Sequence, residues 1–145
     1  MSGRRPRGAW LLVVAVPFTT TLAACGDGGS SGPEALEGVT WILTQFVAED
    51  GSTEIVQVGV NAEFDGSTIS GTSGCNRYNA SYEASGNEIS FGPIAGTKMA
   101  CPEPQMSVEA RYLQLLESVA TFEVEGRAMS MSDGEGTPVL QFSQG

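Results

Sequence analysis

Gly71-Thr72-Ser73-Gly74-Cys75-Asn76-Arg77-Tyr78-Asn79-Ala80-Ser81-Tyr82 is the stretch on which the reading of this chain turns, and Thr97-Lys98-Met99-Ala100-Cys101-Pro102 answers it downstream. Two cysteines, two of the few basic residues and the densest run of turn-forming residues fall in these segments, between β-like flanks. Working outward, Val58, Val60, Ala62 and Phe64 alternate with Gln57, Gly59, Asn61 and Glu63, the pattern of a half-buried strand. Asp65-Gly66 then predicts a hairpin turn into Thr68-Ile69-Ser70. Gly38 to Phe46 is β-rich and starts the domain. Tyr82 and Ala84 face Ile89 and Phe91 across a Ser85-Gly86-Asn87 turn. Phe122 and Val124 alternate with acids, Gly126-Arg127 turns the chain, and Met129 and Met131 lead to Val139-Leu140-Gln141-Phe142.

One segment leaves this rhythm. Val108, Tyr112, Leu115, Leu116 and Val119 fall at helical spacing, with Glu109, Gln114 and Glu117 read as the opposite, polar side and Ser107 as the N-cap. The pattern predicts a mainly β (α+β) fold: short strands forming a barrel or a sandwich, with one amphipathic helix packed across the sheet.

Composition narrows the function. Arg4, Arg5 and Arg7 sit in an N-terminal leader, so past it only Arg77, Lys98, Arg111 and Arg127 face 17 acidic residues. Such a surface repels phosphate backbones, which argues against nucleic-acid binding. The chain has no histidine, which removes histidine triads, histidine metal sites and the usual neutral-pH proton shuttle.

Residues 1–24 read as a signal peptide: three arginines, a short apolar run from Trp10 to Phe18 broken by Pro17, then Thr21-Leu22-Ala23-Ala24-Cys25. The apolar run falls short of the ~20 residues that span a bilayer. Leu22-Ala23-Ala24-Cys25 resembles the lipobox of bacterial lipoproteins, which implies acylation of Cys25; a soluble secreted protein is the other reading. Two or three acyl chains at about 0.8 kcal/mol per buried methylene make an effectively permanent anchor. Arg4-Arg5 hints at a twin-arginine signal but lacks the apolar pair after it, so the export route stays open. Residues 25–35 read as the lipidated cysteine and a Gly/Ser tether, and 36–145 as the folded domain. The expected location is exported and lipid-anchored, facing the periplasm or the cell exterior.

The order Trp41-x-Leu43, Gly74-Cys75-Asn76-Arg77-Tyr78, Thr97-Lys98-Met99-Ala100-Cys101-Pro102, Glu109-x-x-Tyr112-Leu113-x-x-Leu116 and Leu140-x-Phe142 resembles the META domain, or HslJ-like, family over residues 36–143. Lys98 stands where that family more often has arginine, Tyr78 where phenylalanine is common, and Met129 and Met131 where leucines are usual. The resemblance implies a small antiparallel barrel-like domain with one helix, frequent in exported bacterial proteins and lipoproteins. It links the chain to stress response, novobiocin resistance, and motility or secretion, with no catalytic activity or ligand common to the family.

With Cys25 committed to lipid, Cys75 and Cys101 remain, and an oxidising compartment favours a structural disulfide. The alternative is a reactive thiol whose pKa Arg77 and Lys98 lower, but there is no C-x-x-C spacing and no histidine base. Two thiols cannot complete a four-ligand zinc site, and Asp133-Gly134-Glu135-Gly136 lacks the ligand count of a calcium loop. No catalytic residue, metal or cofactor is assigned. Asn76 is expected to bond backbone groups in a turn. Arg77 and Lys98 form, with Asn76, the candidate binding residues for a small anion; the plainer reading is that the two cations neutralise nearby carboxylates. The functional expectation is a non-catalytic, lipid-anchored envelope module, tied to the membrane at Cys25, with an envelope protein or small ligand as partner. A carrier of a small apolar ligand or lipid in a barrel cavity is the alternative, and a thiol-based enzyme ranks below it.

Overall fold

The computed structural model describes residues 32–145; the expected signal peptide, Cys25 and the expected tether up to Ser31 lie outside the described residues. Ten strands and one α-helix follow in order: β1 (Thr40–Val47), β2 (Thr53–Ile55), β3 (Asn61–Asp65), β4 (Thr68–Thr72), β5 (Arg77–Ser85), β6 (Glu88–Phe91), β7 (Ala95–Gly96), α1 (Gln105–Ser118), β8 (Val119–Glu125), β9 (Ala128–Asp133) and β10 (Pro138–Gln144). Eight of the strands, in the order β1, β3, β4, β5, β6, β8, β9, β10, close into a ring through the pairing of β10 with β1. Every pairing is antiparallel, with β2 added beside β1 and β7 beside β5. The mainly β barrel with one helix expected from the sequence is therefore the fold.

Within the runs β3 to β6 and β8 to β10, neighbours in the ring follow one another in the chain, and three of these hairpins are tight. The two-residue loops Gly66-Ser67, Gly86-Asn87 and Gly126-Arg127 each place glycine first, with φ of 62°, 60° and 58°, the left-handed backbone that matches the twist of a hairpin.

Inward positions make the core: Trp41, Leu43, Phe46, Ala62, Phe64, Ile69, Tyr78, Ala80, Tyr82, Ile89, Phe122, Val124, Met129, Met131, Leu140 and Phe142 are all buried. An eight-stranded barrel is just wide enough for side chains to fill it. These residues occupy the interior where the carrier reading expects a ligand cavity. Three register shifts, at Leu43/Gln45 in β1, Val119/Thr121 in β8 and Pro138/Leu140 in β10, break strict alternation. Each shift restores the inward direction after an odd step, so that Leu43 and Phe46, or Val119 and Phe122, both point inside. Thr44, at the first shift, donates its hydroxyl to the Gln141 carbonyl at 3.0 Å.

Both rims of the barrel are covered. At one, a single 3-10 turn (Pro33–Ala35) delivers Leu36, fully buried, and the Leu36 carbonyl accepts the Trp41 indole N–H at 3.0 Å. Glu37 follows, accepting from the Gly66 amide at 3.1 Å and the Tyr82 hydroxyl at 3.3 Å. Gly145 joins the same rim, its amide bonded to the Thr40 carbonyl at 2.9 Å. At the other rim lies α1. Tyr112 and Leu116 are fully buried, and Tyr112 meets Tyr78 of β5 and Phe142 of β10 edge-on, with ring centroids 5.5 and 6.4 Å apart. Arg111 stacks over the Phe46 ring at 4.5 Å and pairs with Glu54 of β2.

Two details differ from the sequence expectation. The helix starts at Gln105, with Pro104 at the N-cap position, so Ser107 lies inside the first turn; its amide and hydroxyl both donate to the Glu103 carboxylate, which takes over the capping role. The strand expected from Val58 begins at Asn61, and Val60 makes only an isolated bridge to Ser73. β2 and β7 are too short to show as periodic patterns. No helix among the described residues is long and apolar enough to cross a membrane.

Candidate functional site

The Gly71–Tyr82 and Thr97–Pro102 segments meet beneath the start of α1. Strand β4 ends at Thr72, and Ser73 to Asn76 turn the chain into β5, closed by the Ser73 amide bonding the Asn76 carbonyl at 2.8 Å. Gly74 makes the turn possible. Its φ is 115°, and a Cβ there would stand 3.2 Å from the Gln105 carbonyl oxygen and 3.3 Å from Val58 Cγ1. The tight turn leaves the amides of Cys75 and Asn76 pointing at the helix.

What they point at is Glu109. This residue is only 8% exposed, and its Oε2 accepts from the Ser73 hydroxyl at 2.6 Å, the Asn76 amide at 2.7 Å and the Cys75 amide at 3.3 Å. Oε1 accepts from Asn76 Nδ2 at 2.7 Å. Burial pushes the Glu109 carboxyl up, and the donors from Ser73, Asn76 and Cys75 outweigh it and hold the carboxyl below its usual range. Its expected place on the polar face of α1 is thus corrected: a carboxylate with this many donors is more stable inside than in water.

Asn76 is buried too, and all four of its side-chain hydrogen-bonding positions are used. Nδ2 donates to Glu109 Oε1 and to the Met99 carbonyl at 3.2 Å, while Oδ1 accepts the Met99 amide at 2.7 Å and the Thr97 hydroxyl at 2.9 Å. The carboxylate can only accept, so the amide nitrogen must face Glu109 and the oxygen must face the Thr97–Met99 strap. Asn76 does bond backbone groups, as the sequence suggests, but across the fold rather than within its own turn. Cys75 and Cys101 are joined by a disulfide, with Cα atoms 5.9 Å apart.

Arg77 and Lys98 come together through the backbone. The Thr97 amide bonds the Arg77 carbonyl at 3.0 Å and the Arg77 amide bonds the Thr97 hydroxyl at 3.2 Å, which places Lys98 one residue beyond the pair. Both are exposed. The one ion pair among the described residues is Arg111 with Glu54, so neither Arg77 nor Lys98 neutralises a carboxylate by direct contact. Beneath the site, the Tyr78 hydroxyl donates to the Asn61 carbonyl at 2.9 Å and accepts from Tyr112 at 2.7 Å. Burial pushes both phenols far above their usual range.

A sequence model of the META domain matches residues 34–145. The chain belongs to the META domain family. Among solved structures, this META domain is similar to a protein from Burkholderia xenovorans determined by NMR, with 26% identity, a TM-score of 0.69, and coverage of 97% of this chain and 99% of the other. It is also similar to a DUF4847 family protein from Bacteroides vulgatus, with 13% identity, a TM-score of 0.57 and coverage of 76% and 94%, a likeness of fold alone. A further NMR structure matches at 19% identity with a TM-score of 0.56, covering 77% and 92%. Comparison with curated proteins returned no match.

Reading the sequence missed Glu109, Ser73 and Thr97 as members of the META site. The signal for Glu109 was present: positions 109, 112 and 116 share one helical stripe, and Tyr112 and Leu116 are its buried members. Nothing comparable marked Ser73 or Thr97, two small polar residues in turn-rich sequence.

Proposed function

We propose that this META domain is held at the outer face of a bacterial membrane by lipid on Cys25 and acts there as a non-catalytic interaction module. The leader and Leu22-Ala23-Ala24-Cys25 support the anchor, and membership of the META family supports an envelope-type module without catalysis. The observation that carries the reading is the saturation of the polar site. Four donors occupy Glu109, all four positions of Asn76 are used, and the two thiols are bonded to each other. An active site needs a group with an unused lone pair or proton at the moment of reaction; in this constellation the polar atoms hold backbone in place instead.

Intact-mass analysis of protein extracted from membranes, before and after reduction, tests the anchor and the crosslink together. The expected result is a mass raised by two or three acyl chains, lost in Cys25→Ala, and no alkylation of Cys75 or Cys101 until reductant is added. An unacylated native protein would refute the anchor, and free alkylation without reductant would return the thiol chemistry to consideration.

A further inference from the structure

The strap Thr97–Met99 is fixed without being packed. Three of the four hydrogen bonds made by the Asn76 side chain go to Thr97 and Met99, and the disulfide ties the chain again at Cys101. Yet Thr97, Lys98 and Met99 are all exposed, and Met99, at 57%, is one of two large apolar side chains left open to water among the described residues. Ordering backbone costs conformational freedom, and here the exposed strap adds nothing to the core in return. It is useful when a second molecule docks, because a surface already fixed does not lose that freedom again on binding.

The chemistry of the strap selects the partner. Arg111 is committed to Glu54 and the Phe46 ring, and Arg127 donates to the Gln144 carbonyl at the opposite rim. Among the described residues only Arg77 and Lys98 are cations whose side chains have neither an ion pair nor a hydrogen bond. They sit in a chain with 17 acidic and 7 basic residues, so a carboxylate finds free positive partners here and repulsion over most of the remaining surface. The N–H and C=O of Lys98 make no hydrogen bond among the described residues, which leaves a donor and an acceptor for an extended chain. Depressions of about 290 to 490 Å³ on the described surface are lined by other residues.

We infer that the rim formed by Arg77, Lys98 and Met99 is the docking surface for an acidic segment of a partner polypeptide, with carboxylates on the two cations and an apolar side chain against Met99. The inference goes beyond the anchor reading and does not depend on acylation of Cys25.

The test is an NMR titration of the secreted, isotope-labelled Cys25→Ala chain with a pool of peptides that alternate Asp or Glu with Leu or Phe. Amide shifts should concentrate at Arg77, Lys98 and Met99. The double variant Arg77→Glu/Lys98→Glu should weaken binding roughly tenfold, the fold-change expected from losing two exposed ion pairs. Because both residues are exposed, its own spectrum should remain dispersed. Met99→Ala should weaken binding while leaving the charge response intact. A pool with Lys in place of the acids should leave the three amides unmoved. Shifts reproduced in full by inorganic phosphate would assign the spot to simple anions and overturn the polypeptide reading. So would shifts centred elsewhere, or no shift at millimolar peptide.

Discussion

Replacing Glu109 should disable the fold's polar keystone, and the structure sets how much that costs. In Glu109→Ala, the Ser73 hydroxyl and the Asn76 amide and Nδ2 lose a charged acceptor in a buried site, and the partly buried Cys75 amide loses its own. An orphaned buried polar group costs about 1–3 kcal/mol, but the Ser73 hydroxyl keeps a second acceptor in the Asn76 carbonyl at 2.9 Å, and water can recover part of the cost at the part-buried Cys75 amide. The expected loss is therefore about 3–5 kcal/mol, comparable to stranding one partner of a buried pair. Glu109→Gln keeps the shape, but its amide nitrogen must face a donor on one side, so about 1–3 kcal/mol is expected. The pH dependence separates charge from shape. The folded carboxyl lies below its unfolded value of about 4.3, so its stabilisation is complete above that value and disappears as pH falls through the folded one. Urea unfolding of wild type and Glu109→Gln, from neutral pH to below the carboxylate range, should show the two curves converging in acid. A difference under about 0.5 kcal/mol at neutral pH, or one that persists unchanged in acid, would refute the account.

Cutting the Cys75–Cys101 crosslink, by reduction or by a double alanine substitution, should cost about 3.5 kcal/mol from the 26-residue separation in the chain-entropy treatment, read as a lowered urea midpoint with a near-native spectrum below it. Gly71→Ala should destabilise by about 2–3 kcal/mol, because a Cβ there would stand 2.2 Å from the Asn61 carbonyl oxygen, which also accepts the Tyr78 hydroxyl; a neutral result in thermal unfolding would mean that β3 and β4 separate freely. Tyr112→Phe should cost about 1 kcal/mol, whereas Tyr78→Phe should cost more, since it strands both the Tyr112 hydroxyl and the Asn61 carbonyl. Both phenols lie far above the unfolded value of about 10, so their contribution is complete below that value and falls as pH rises past it, and the absorbance of ionised tyrosine should report their ionisation only when the chain unfolds.

The hairpins were legible in sequence because glycine-led turns and two-residue alternation are local properties, as around Gly66 and Gly86. Closure of the ring was not, because the pairing of Thr40–Val47 with Pro138–Gln144 joins segments nearly a hundred positions apart, and no local pattern encodes it. The three register shifts were hidden for a related reason: Leu43 to Phe46 is an odd step, which alternation reads as a change of face. Within the site, Cys75, Asn76 and Cys101 stood out by residue type. Glu109 did not, since a charged residue on a helix is ordinarily solvated, and only the donors supplied from a turn more than thirty residues earlier reverse that preference. The fullness of the interior depends on volumes contributed by every strand at once, so it becomes visible only in three dimensions.

The placement of Leu36 and Gly145 on one rim has a mechanical meaning. Trp41, at the start of β1, pairs with Gln144, at the end of β10, and the bonds between antiparallel strands run perpendicular to them. A force applied between those two ends would open this seam like a zipper, one bond after another, at low load. A force drawn from the leading end against a hold on the helix-bearing rim runs along the strands instead, so that many bonds must shear at once. The same barrel is thus weak when stretched between its own ends and strong when tugged along its axis, a difference that single-molecule pulling in the two geometries would register directly.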